Sequence, residues 1–403
     1  MRIAWVTPYL PEPAASGGAI RQQRLAAALA QNAQVHLFAR GELWERPRMR
    51  SRELDFFASC WLGRDYDLRG AARALDGPAL PMRVRRGSPG SLWRAIARAH
   101  ARAPFQGVVV SHSWAALGAR ALGLPWLLDE HNVESRFFAD LSRSSGGITR
   151  RSANDLISLE RWERETWREA SALTCVSDED AAFVTPHRPT ASDSWRLPLV
   201  VHNGADLERL EFVPPSARHG GALFVGSLHH PPNLAAALRL IEQIMPRVWQ
   251  SLPSLPLKIV GGPVPATLRR AARSASGPVL LLGRVPDVAV HLASERVFLN
   301  PVVHGAGSSL KTIEAVAAGI PLVSTELGAR GFSLLPTQHY LRAESDVEFA
   351  NGVVQTLQDQ EQTRLAALLG RAHATPFGWQ ALGARFATHV LTTFDRQRVA
   401  IRS

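Results

Sequence analysis

The chain has 403 residues, 46% apolar and 20% charged, which is the balance of a globular protein and excludes a disordered one. No apolar run nears the ~20 residues a helix needs to span a bilayer, and Cys60 and Cys175 lack metal-ligand spacing, which speaks against a membrane-spanning chain, a disulfide framework and a zinc module. The net charge of +11 gathers between Arg40 and Arg102, where 14 arginines stand against 7 acids, without the aromatic interleaving of a nucleic-acid binder.

The arginine surplus reads either as a solvated surface or as a patch that docks peripherally on anionic membrane lipid. A nucleic-acid partner is not expected. The opening MRIAWVTPYLPEP reads as a first strand and loop rather than a leader, so the simplest compartment is the cytoplasm, with peripheral contact at the inner face of the membrane.

In chain order, strands are predicted at 2–7, 35–38, 107–111, 125–130, 172–177 and 199–204. Several are continuous apolar runs, the pattern of strands covered on both faces in a parallel sheet. A helix is expected from Ile20 to Gln31, and Ser177 followed by Asp180 caps another. The segment 208–221, ERLEFVPPSARHGG, has a linker's composition. The cycle then restarts with strands at 222–227, 257–262, 279–285, 296–302 and 321–326, and a helix from Leu234 to Gln250.

The prediction is two doubly wound α/β domains. An acceptor-side domain covers 1–207, the linker 208–221, a nucleotide-sugar domain 222–376, and a closing helix and tail 377–403. Leu382, Phe386, Val390 and Phe394 recur every four residues along that helix. Ligands of such sheets bind beyond the carboxyl ends of the strands, so the expected site is the cleft between the domains.

One stretch, HGAGSSLKTIEAVAAGIPLVST (304–325), carries the chemistry. Gly305, Gly307, Ser308 and Ser309 form a small-residue loop that lets backbone amides approach an anion, and a helix begins at its end. Lys311, one of only two lysines, sits in the first turn, where the helix dipole disfavours a cation unless an anion faces it. Glu314 lies three residues on, the same side of the helix. Lysine beside such a loop suits phosphate, and glutamate suits paired hydroxyls. The plain alternative is a solvated ion pair. Gly17 and Gly18 make a second helix start of this kind.

These features resemble the GT-B glycosyltransferases of family 4, the glycosyl transferases group 1 type. The resemblance rests on Gly17-Gly18, LLDEHNVES (127–135), TCVSDEDA (174–181), VHNGADLERL (201–210), LFVGSLHHPPN (223–233), LLGRVPDV (281–288) and the 304–325 stretch. It implies two facing Rossmann-like domains and retaining transfer of a sugar from a nucleoside-diphosphate donor. The acceptor is a carbohydrate, a lipid-linked or a small-molecule hydroxyl, in bacterial glycan or glycolipid synthesis. No cofactor and no obligatory metal are implied.

By position, Glu314 matches the ribose contact, and Lys311 with Gly307, Ser308, Ser309 and Leu310 the diphosphate site. Arg284 and Val285 match the base region, His131 the histidine that reaches the transferred sugar, and Gly17 and Gly18 the loop over the phosphates. Two departures stand out. The glutamate usual eight positions before Glu314 is Ala306 here, with His304 in the corresponding turn. The arginine and lysine usual after the FVG strand are replaced by Ser227, Leu228, His229, His230, Pro231 and Pro232. Lys311 is then the obvious replacement for the missing charge, helped by Arg284 or Arg21. His112, at a strand end, is a candidate on the acceptor side. A sugar-nucleotide epimerase of the same fold, or a binding protein with a degenerate site, are the competing readings.

Overall fold

A computed structural model describes residues 1–14, 16–41, 43–63, 80–144, 150–189, 197–305 and 307–402. They divide into two compact units, residues 1–202 with 380–403, and residues 203–379. Part of the arginine-rich stretch, and Ala306, lie outside the described residues.

The first unit is built on seven parallel strands: β1 (Arg2–Thr7), β2 (Gln34–Arg40), β3 (Ser59–Gly63), β4 (Gly107–Ser111), β5 (Trp126–Glu130), β6 (Ala172–Cys175) and β7 (Leu199–Val200), in the order 3-2-1-4-5-6-7. β1 and β4 are central and carry the contiguous apolar runs: Ile3, Ala4, Trp5 and Val6 are fully buried, as are Val108, Val109 and Val110. Helices cover both faces, as an all-parallel sheet requires. Ser177 caps Asp178–Val184 through Asp180 N, as the sequence predicts, while Ser16 accepts from Ala19 N and starts the first helix at Gly17, three residues before the expected Ile20.

The C-terminal helix, Trp379–Arg402, belongs almost wholly to this first unit. Phe386 packs on Trp5 with ring centroids 5.8 Å apart, and Phe394 fills the space that Gly107 leaves by lacking a side chain. Leu382, Phe386, Val390 and Phe394 are all buried, the predicted face.

The second unit has six parallel strands: β8 (Ala222–Val225), β9 (Leu257–Val260), β10 (Val279–Gly283), β11 (Val297–Asn300), β12 (Leu322–Ser324) and β13 (Leu341–Arg342), in the order 10-9-8-11-12-13. This is the doubly wound order, with β8 and β11 flanking the switch point. The segment 208–221 is packed into this unit. Arg218 is buried and donates to the carbonyls of Val213, Leu292, Ala293, Glu295 and Ala318, so one guanidinium ties this segment to the ends of two helices.

The expected linker 208–221 is part of the second unit, which begins at Asn203, and three further features differ from the sequence expectations. The edge strands β3 and β13 carry too little apolar pattern to read: Ser59–Gly63 is half-covered and Leu341–Arg342 is two residues long. The helix expected over 234–250 runs as Pro231–Arg239, a wide turn at Leu240–Ile244, then Met245–Ser251. Pro246 is the cause, since its ring has no N–H and displaces the carbonyl one turn back.

Candidate functional site

In the first unit, the loops leaving β1 and β4 flank the switch point and carry Tyr9 and His112. The adjacent β5 runs into His131. The rings of His112 and His131 lie 4.0 Å apart. His112 has φ of 69°, a left-handed conformation that costs a non-glycine residue about 1–2 kcal/mol. Its neighbours hold it there: Tyr9 Oη is 3.1 Å from Nε2, Glu134 Oε1 is 3.5 Å from Nδ1, and the Trp114 ring is 5.2 Å away. Burial, and then the charges of Glu134 and Asp129, raise the Tyr9 phenol above its usual range, so it keeps its proton.

His131 Nε2 is 3.0 Å from Asp129 Oδ2. Asp129 also accepts from Arg21 Nη2 at 2.6 Å and Thr174 Oγ1 at 2.7 Å. Burial opposes ionisation of Asp129, but the charge of Arg21 and then of His131 outweighs it and holds the carboxyl well below the usual range. For His131, burial and the neighbouring His112 outweigh Asp129 and pull its pKa down to about 4. Its Nδ1 has no hydrogen-bond partner among the described residues and lies on the side of Gly18. A side chain at position 18 would overlap Tyr9 Oη and stand 3.2 Å from His131 Nδ1.

Glu130 turns away from this chain of contacts. It accepts from Ser113 N and from Trp167 Nε1. Glu163 accepts from the amides of Glu134 and Ser135, fixing the turn after His131. Both carboxyls are pushed up by burial, Glu163 to about 8, and each is further raised by neighbouring carboxylates.

In the second unit, β8 and β9 are each followed by a glycine, Gly226 and Gly261, and the edge strand β10 ends in Gly283. Gly261, with φ of 143°, lies directly against the carbonyl of Gly226, and a side chain there would overlap it. Ser227 follows, half-buried, its hydroxyl 2.9 Å from His229 Nδ1. Across the switch point, the loop after β11 is pinned at three places. Asn203 Nδ2 donates to Ser308 Oγ at 3.0 Å, Arg330 Nε donates to the Gly307 carbonyl at 2.7 Å, and Thr312 Oγ1 donates to Ser309 Oγ at 3.1 Å. Ser309 precedes the helix Leu310–Ala318 without a side-chain cap among the described residues, and its carbonyl takes the amides of Thr312 and Ile313.

Lys311 points back under this loop. Its Nζ donates to Asn233 Oδ1 at 2.7 Å and lies 4.6 Å from the centre of the Phe224 ring. Asn233 Nδ2 in turn donates to the Ser227 carbonyl. Burial alone pushes the Lys311 ammonium down from its usual range to about 7. Glu314 sits one turn on, half-buried. Arg284 and His304 are exposed, while Val285 packs on the core of this unit.

The structure therefore gathers Gly18, His112 and His131 in one unit, and Ser227, Ser308, Ser309 and Lys311 around Asn233 and Asn203 in the other. Arg21 is a correction. It is fully buried and its donors go to Asp129 and to the carbonyls of Val201 and His202, so it is not a free charge for phosphate. Tyr9, Glu134, Asn203 and Asn233 were not singled out from the sequence. The PPN triplet before the helix Pro231–Arg239 was the available signal for Asn233. Tyr9 had none, because nothing in a loop tyrosine tells its partner.

A family model described as Glycosyl transferases group 1 matches residues 220–359. A Klebsiella pneumoniae protein, described as an uncharacterized 44.6 kDa protein in the cps region, is 27% identical over 138 residues, 33% of this chain and 36% of its own. A phosphatidyl-myo-inositol mannosyltransferase of Mycobacterium leprae is 23% identical over 202 residues, 48% of this chain and 52% of its own. The chain thus spans between a third and about half of the curated relatives it matches. Among solved structures, sucrose-phosphate synthase from Thermosynechococcus elongatus superimposes with a TM-score of 0.73 at 17% identity, covering 98% of this chain and 100% of that one. HepE from Anabaena in complex with UDP gives 0.69 at 13%, covering 97% and 100%. At these identities the likeness shows the fold, the two Rossmann-like units of the GT-B class.

Proposed function

We propose, from the match of residues 220–359 to the glycosyl transferases group 1 model, that the chain transfers a sugar from a nucleoside-diphosphate donor to an acceptor hydroxyl, with retention of anomeric configuration. The observation that carries this reading is Lys311. A half-buried lysine in the first turn of a helix, beside a glycine-serine loop, is placed to meet an anion. Charge grows on the departing phosphate as the sugar bond breaks, and preorganised donors aimed there are usually the largest catalytic term. Lys311 and the amides of residues 307–310 supply them, so transfer proceeds without an obligatory metal, and a chelator leaves the rate unchanged. Glu314 takes the ribose hydroxyls and His131 a hydroxyl of the transferred sugar.

UDP-sugars are the first donors to try, since HepE was solved with UDP and with UDP-glucose. The named relatives, one from a cps region and one a phosphatidyl-inositol mannosyltransferase, point to bacterial glycan or glycolipid acceptors. No helix among the described residues is long and apolar enough to cross a membrane. Contact with anionic lipid through the basic stretch 40–102 would place the chain peripherally at the membrane's cytoplasmic face, and flotation with anionic but not neutral vesicles tests it.

The activity test is incubation with a panel of nucleotide sugars and acceptors. Release of free nucleotide together with a glycosylated product supports the reading. An epimerised donor, or binding with no turnover, overturns it in favour of the two alternatives.

A further inference from the structure

We propose that Asp129, clamped by Arg21 and Thr174, is a positioning residue that fixes His131 as the tautomer protonated at Nε2. That leaves Nδ1 as an obligate hydrogen-bond acceptor on the side of Gly18. The argument is one of donors and acceptors. An ionised carboxylate only accepts. Asp129 Oδ1 is taken by Arg21 Nη2 and Thr174 Oγ1, and Oδ2 by Arg21 Nε at 3.1 Å and His131 Nε2 at 3.0 Å. Every group around it is a donor, so Nε2 must bring a proton.

Asp129 cannot turn to release that contact. Its side chain is fully buried, and Arg21 is itself anchored by the carbonyls of Val201 and His202. A neutral imidazole carries one proton, and the depressed pKa of His131 keeps the ring neutral at physiological pH. Nδ1 therefore carries a lone pair; it is buried and without a partner among the described residues, so a donor that reaches it must enter beside Gly18.

The chemical consequence is selectivity. An acceptor nitrogen recognises a group that donates, such as a hydroxyl, and repels carboxylate or phosphate oxygen. Resting on the transferase reading, this assigns to His131 a hydroxyl of the sugar, and a deoxy analogue at that hydroxyl should be a poor substrate. Gly18 contributes by omission, since any side chain there would crowd the same nitrogen.

The test is nitrogen NMR of histidine-labelled protein, with His131→Gln used to assign the signal among the 14 histidines. The wild-type chain should show His131 protonated at Nε2 and bare at Nδ1, unchanged from pH 8 to about pH 5. A proton on Nδ1 in that range overturns the proposal. Asp129→Asn should lose the fixed tautomer, and Thr174→Val, which removes one clamp without unpairing Arg21, should loosen it less. In turnover, Asp129→Asn should lower kcat by roughly 10–100-fold, the scale seen when a partner that orients a reacting group is removed, with nucleotide affinity unchanged. Loss of affinity and rate together would mean a merely structural role. Absence of transfer with every donor overturns the transferase reading and leaves the NMR result to decide the tautomer.

Discussion

Lys311 and Glu314 stand three residues apart at one helix start, yet they are expected to fail differently when removed. On the proposed transferase reading Lys311 meets charge that grows during the reaction, so Lys311→Ala should cut kcat by roughly 10²–10³, the scale of one lost preorganised donor. On the same reading Glu314 meets neutral hydroxyls that change little, so Glu314→Ala should chiefly raise the donor KM, by about 1.5–3 kcal/mol of binding for charge-assisted hydrogen bonds. Steady-state kinetics of the two variants separates them, and parallel effects would sink the assignment. The sequence made both residues legible because a lysine in the first turn of an apolar helix is locally unfavourable and calls for a reason. It did not reveal that Lys311 lies under Phe224 and is held by Asn233, 78 positions away, because no local pattern encodes a long-range contact. The same holds for Arg21. Its position in a helix start suggested a phosphate partner, whereas its length lets it reach Asp129 on β5.

At the level of elements, the parallel strands were largely legible because burial on both faces demands contiguous apolar runs, and central strands such as β1 and β4 satisfy that. Edge strands escape the demand, which is why β3 and β13 did not show. The C-terminal helix displayed its apolar face plainly but not its partner, since a stripe every four residues fits any apolar groove. The glycine-rich strand ends of the second unit make a sharper prediction. Gly261 combines φ of 143° with direct contact to the Gly226 carbonyl, so Gly261→Ala should force β8 and β9 apart at the switch point. Nucleotide binding should fall severely, with a lowered melting temperature. Thermal unfolding and nucleotide titration check this, and a variant with unchanged affinity would show that the strand ends do not shape the site.

Across the whole molecule, buried ionisable groups set how stability follows pH. Glu163 ionises near pH 4.5 when unfolded and at about 8 in the fold. Its folded form holds its proton more tightly, so its contribution is complete below about pH 4.5 and is lost as pH rises through 8. Melting temperatures across that window should therefore decline less steeply for Glu163→Gln than for wild type, and identical slopes would contradict the assignment. Lys311 works in the opposite direction. Its pKa of about 7 lies below the lysine range, so the buried ammonium destabilises the free protein, and stability gains from its deprotonation between pH 7 and about 10.5. A diphosphate beside it should restore its proton, so affinity should be highest below pH 7 and fall as pH rises above it. Calorimetry of nucleoside-diphosphate binding at pH 8, in two buffers of different ionisation enthalpy, measures this directly. The account predicts uptake approaching one proton per nucleotide bound by the wild-type chain and none by Lys311→Met. Equal heats in the two buffers, or the same uptake in both proteins, would contradict the placement of Lys311 at the diphosphate.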